Sequence, residues 1–153
     1  MATMTRALAL ALVLAAAGCG GPPQLSVRIE SIQPWALRAD AESRILGVAD
    51  RAARFWGAAG LDDLNGYVVL VRDPPLDAYC LARVGGCTWI ERRRIVISAT
   101  EPVLGMRVKC AENTVLPHEL GHAILRTWDH DDPRWALLPA WQQADVAEHP
   151  DCL

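Results

Sequence analysis

A chain of 153 residues has length for one domain, and with 52% apolar residues it can bury a core, which excludes a disordered tail. Fifteen Lys and Arg against eighteen Asp and Glu give a formal charge of -3, so nothing in the balance points to nucleic acid, which favours a basic surface.

The first eighteen residues, "MATMTRALALALVLAAAG", carry one Arg and then an apolar, small-residue run that ends at Cys19. This is the pattern of a signal peptide and is set aside in reasoning about the fold. The stretch "LAAAGCGG" resembles a bacterial lipobox, in which the Cys after small residues becomes the lipidated first residue. The resemblance implies a lipid anchor on Cys19, a tether over 19–24 and a location in the bacterial cell envelope, with residues 25–153 as the folded domain. An ordinary secretory signal with an incidental Cys is the alternative. A spanning helix is not expected, because the run from Ala7 to Ala17 is too short for a bilayer core of about 30 Å.

"LSVRIESI" (25–32) alternates apolar and polar residues, as a half-buried strand does. Asp40 can cap a helix through "AESRILGVADRAARFWGAAG", with Ile45, Leu46, Val48, Ala49, Ala52, Ala53 and Trp56 near one face and Gly60 as its stop. "GYVVLVRD" (66–73) is a continuous apolar run that fits a strand buried on both sides. "TWIERRRIVISA" (88–99) reads as a hairpin with Arg92, Arg93 and Arg94 at its turn or on a solvated face; binding an anionic ligand is their alternative role. Thr114 can cap the next helix, which places Pro117 where its missing N–H costs no helical bond. "TWDHDDPRWALLP" is then expected as a loop, and "AWQQADVAEH" (140–149) as a short terminal helix.

Without Cys19, four cysteines remain: Cys80, Cys87, Cys110 and Cys152. An even number in an exported chain suggests two disulfides. Three connectivities exist, but Cys80 and Cys87 flank a short "LARVGG" loop and invite local closure. Cys110 with Cys152 would then tie the C-terminus near the start of the histidine helix. Free or metal-binding thiols are the alternative, although the chain has no CxxC pair.

Three of the four histidines fall within "VLPHELGHAILRTWDHDD" (115–132). His118 and His122 are four apart, so on a helix both rings face one side and can share a zinc ion. Between them Glu119 can take a proton from a water that the metal has acidified, and pass it to a leaving amine after the water attacks a polarised carbonyl. Leu116, Leu120, Ala123 and Ile124 form the apolar face that would hold this helix on a sheet.

At "NTVLPHELGHAIL" and the following "DHDDP" the chain resembles the zincin metallopeptidases, in their metzincin, matrixin-like branch. The resemblance covers about residues 113–133. It implies zinc bound by His118 and His122, Glu119 as general base, and a small mixed sheet packed on a backing helix and an active-site helix, an α+β class. The family pattern H-E-x-x-H-x-x-G-x-x-H departs here at two points: its Gly falls on Leu125 and its third His on Trp128. The Met expected beneath the site is also missing, leaving Leu137 or Leu138 as the apolar floor.

His130 is the expected third ligand, reached by a wide turn through Arg126 and Thr127 with Trp128 packed inward. Asp129, and Glu148 or His149 on the terminal helix, are its rivals, and Asp131 and Asp132 solvate the loop or orient His130. The expected function is zinc-dependent hydrolysis of peptide or protein substrates by a membrane-tethered enzyme. The alternative is a catalytically inactive lipoprotein of the same fold that acts as a binding module.

Overall fold

The run Val68 to Val71 has no polar residue on either face, and a strand of that kind belongs in the middle of a sheet. The computed structural model, which describes residues 24–34, 36–81, 85–99 and 111–149, puts it there. Strands β1 (Ser26–Glu30), β2 (Val68–Arg72), β3 (Gly86–Trp89) and β4 (Arg94–Ser98) form one mixed sheet in the order β1-β2-β4-β3. β1, β2 and β4 are parallel, and β3 lies antiparallel to β4 at the edge. Helices α1 (Ala41–Phe55), α2 (Ala111–Leu125) and α3 (Arg134–Glu148), with a 3-10 turn at Leu61–Leu64, complete an α+β arrangement. Cys19, Cys110, Cys152 and the leader lie outside the described residues, as do the lipid anchor and the second disulfide expected of them. No described helix is long and apolar enough to cross a membrane.

Strand alternation divides the core in two. Val69, Val71, Ile95 and Ile97 join Ile45, Trp56, Leu116 and Leu120 of the helices in the main cluster. Leu70 and Val96, on the other face, are covered by Leu76 and Cys80. Cys80 is joined to Cys87 of β3 by the expected local disulfide, with Cα atoms 5.8 Å apart. Of the three arginines of the hairpin, Arg92 stacks over Trp89, Arg93 donates to the Asn65 carbonyl at 3.0 Å, and Arg94 opens β4 on the exposed side.

Three helix boundaries differ from expectation. α1 stops at Phe55, and the left-handed residue after it is Gly57 (φ 87°), not Gly60. Its N-cap residue is Asp40, but the carboxylate takes a bidentate pair of bonds from Arg38 at 2.9 and 2.8 Å instead of capping the backbone. That guanidinium holds the Asp40 carboxyl below its ordinary range. α2 starts at Ala111, before Thr114, so Pro117 sits inside the helix and removes one helical N–H. Packing offsets the loss: Pro117 is fully buried, and its carbonyl accepts the Trp56 indole N–H at 2.7 Å.

α3 begins at Arg134, within the stretch expected to be a loop, and continues through Pro139. Its start is fixed by Asp132, whose Oδ1 accepts the Arg134 backbone N–H at 2.9 Å, and by Pro133, which already has helical φ. Pro139 lies on the exposed flank of α3, where water can satisfy the orphaned carbonyl. The helix is clamped to α1 by Arg51, which donates to Asp145 Oδ1 at 2.5 Å and Oδ2 at 3.0 Å, and by Phe55 stacked on Trp141 at 5.1 Å.

Asp145 is buried, while the Arg51 side chain keeps 31% of its exposure. Removing the carboxylate leaves a cation that water can partly reach, so the penalty falls below that of a wholly buried pair. Asp145→Ala should cost about 2–3 kcal/mol, read as a shifted denaturant midpoint at unchanged slope.

Candidate metal centre

The four-residue spacing on α2 sets the first two imidazoles side by side. The Nε2 atoms of His118 and His122 are 3.3 Å apart, and the ring centroids 5.0 Å. α2 ends at Leu125, and Arg126 reverses the chain with a left-handed backbone (φ 53°), one residue after the position at which the zincin pattern carries Gly. The expected wide turn is therefore a tight one. It brings the Thr127 carbonyl to 2.8 Å from His122 Nδ1, which donates its proton there and leaves Nε2 as the unprotonated nitrogen facing His118.

The loop then delivers His130, whose ring lies 5.2 Å from that of His118 and 5.0 Å from that of His122. One ligand atom from each of the three rings falls within 4.8 Å of the others. The rivals are elsewhere: the Asp129 carboxylate accepts from the Thr127 hydroxyl at 3.5 Å, His149 lies 3.9 Å from Asp145, and Glu148 is exposed on α3. Asp132 does not reach His130 either, because both its oxygens are taken by the Arg134 guanidinium, which holds its pKa near 2.

The floor beneath the rings is neither Leu137, which is exposed, nor Leu138, which is buried in the main core. It is Trp135, in the first turn of α3, with centroid distances of 4.9 Å to His118, 4.9 Å to His122 and 4.3 Å to His130. Trp128 was expected inside, but it is 57% exposed and only flanks His122 at 5.7 Å. Trp135 falls in the stretch expected to be a loop, where it has no defined direction; the Asp132-Pro133 start signal is what places it in the first turn of α3.

Trp135 in turn stacks on Trp56 at 4.4 Å, and both indoles press on Gly121. A Cβ at Gly121 would fall 2.6 Å from Trp56 and 2.7 Å from Trp135. The glycine of HELGH is thus a packing requirement for two aromatic rings.

Glu119, between the two helical histidines, is 6% exposed. The Thr88 hydroxyl lies 2.7 Å from its Oε2 and 2.8 Å from its backbone carbonyl. Burial pushes the Glu119 carboxyl up to about 7, with the Thr88 bond opposing. Burial also holds His118 down to about 4, helped by His122 and His130, and lowers His122. The helical imidazoles are therefore neutral at pH 7, the form that ligates metals. A cavity of about 350 Å³ opens beside Glu119 and His122, lined also by Trp89, Trp128 and the Cys80–Cys87 disulfide.

Do these residues suit a zinc ion? Nitrogen ligands at about 2.0–2.1 Å in tetrahedral array stand about 3.3–3.4 Å apart, which the two helical Nε2 atoms match. An N–H···N bond has a similar length, but it needs no third ring. The convergence of His130 is what favours a cation. No protein-family model, curated protein or solved structure matches the chain.

Gly121→Ala should destabilise the fold by about 2–3 kcal/mol through overpacking. Because the displaced indole is the floor of the histidines, isothermal titration should show weaker zinc binding in the same variant.

Proposed function

We propose that this chain is a zinc-dependent hydrolase of peptide bonds, tethered through a lipid on Cys19 and related in its site to the zincin metallopeptidases. The observation that carries this reading is the convergence of His118, His122 and His130 beside the buried carboxylate of Glu119. Three imidazoles suit zinc among divalent cations and leave one position open for reaction. Bound there, zinc supplies Lewis acidity, acidifying water and polarising a carbonyl oxygen.

The remaining work belongs to the chain. His122 is oriented by its bond to the Thr127 carbonyl, and Trp135 excludes water from beneath the rings. Glu119 accepts the proton lost by the attacking water and returns it to the departing amine. The adjoining cavity accommodates the substrate beside the carboxylate.

Glu119→Gln should keep zinc at about one per chain while lowering kcat by about 10²–10⁴ on any peptide the wild type cleaves in a library. Equal turnover in the variant would defeat the mechanism. Zinc retention with no cleavage by the wild type would point instead to the metal-binding module.

His130→Ala should weaken zinc binding by more than about 100-fold, beyond the effect of losing an outer partner, whereas Asp129→Ala should change it by less than about threefold. Competition against a chelating dye separates these outcomes, and the reverse order would reassign the third ligand.

A further inference from the structure

We infer that Thr88, on the edge strand β3, is the positioning residue for Glu119. Every hydrogen bond that Glu119 makes through its side chain among the described residues is to Thr88, which is itself 1% exposed. The same hydroxyl stands within bonding distance of the carboxylate Oε2 and of the Glu119 backbone carbonyl. One point on the strand thus faces both the backbone and the tip of Glu119, which restricts its rotamer and leaves Oε1 without a protein donor among the described residues. A buried strand position paired with Ile95 would accept Val on packing grounds alone. Among the described residues the hydroxyl has no partner outside Glu119 to explain its presence.

The strand is shaped for this contact on both sides of Cys87. A Cβ at Gly86 would come 2.5 Å from Val115, 2.8 Å from the Val96 carbonyl and 3.2 Å from the Glu119 Cγ, so the missing side chain lets α2 approach the strand and leaves room for the glutamate's methylene as well. Thr88 is held in register by its pairing with Ile95, and Cys87 between them is anchored to Cys80. Gly86 admits the methylene chain and Thr88 catches its end.

This inference rests on the hydrolase reading for its kinetic consequence but not for its structural one, and the test has an arm for each. In the full chain, Thr88→Val should leave zinc stoichiometry unchanged and KM within about twofold, while kcat falls at least about tenfold; Thr88→Ser should return to within about threefold of wild type. In thermal unfolding, Thr88→Val should lower Tm by about 3–6 °C in the wild-type background and by less than half as much in a Glu119→Ala background. Full kcat in Thr88→Val, loss of kcat that Ser does not restore, or equal Tm shifts in the two backgrounds would each overturn the assignment. If the wild type cleaves nothing, the hydrolase reading falls and the unfolding cycle alone decides whether Thr88 holds Glu119.

Discussion

Two indoles pressed against a bare glycine hold this molecule together. Trp56 comes from the end of α1, Trp135 from the start of α3, and Gly121 from the middle of α2, so one contact fixes the relative placement of all three helices. Trp56 is 1% exposed, and its single polar atom is satisfied by the Pro117 carbonyl, so its burial carries no unpaired donor. The outer indole then serves as the surface on which three imidazoles rest. Core packing and site geometry are therefore the same contact seen from two sides.

The electrostatics follow from that arrangement. Among the described residues no carboxylate pairs with His118, His122 or His130, and the one acid in their midst, Glu119, is bonded to a hydroxyl on the far strand. Burial and the neighbouring rings disfavour imidazolium at His118 and His122, while burial disfavours carboxylate at Glu119. Two neutral imidazoles thus face a shared space, and a divalent cation there would compensate for their desolvation.

Much of this was legible in the sequence, because periodicity reports burial directly. The both-faces-apolar run of β2, the apolar stripe of α1, the Cys80–Cys87 closure and the His118/Glu119/His122 triplet each depend on residues close together in the chain. Helix starts were less legible. α2 begins at Ala111, before the Thr114 cap, so Pro117 lies deeper in the helix than its first turn, and α3 begins at Arg134 and runs through Pro139; tertiary packing and an exposed flank offset one lost bond each. Trp135 has a defined direction only once α3 is known to begin before it. Thr88 carried no local signal at all: its partner is 31 positions away, and a lone Thr in a strand is ordinary.

The three imidazoles come from residues 118 to 130, whereas the Arg51–Asp145 clamp joins positions 94 apart. Closing the shorter loop costs roughly 2 kcal/mol less chain entropy than closing the longer one. The imidazole cluster is therefore a local structure and the docking of α3 a distant one. A cation captured by the helix and its following loop would fix where the chain leaves His130 and in which direction α3 departs. The last helix would then find α1 from a tethered start, so that occupancy of the histidine cluster would act as an ordering step in assembly.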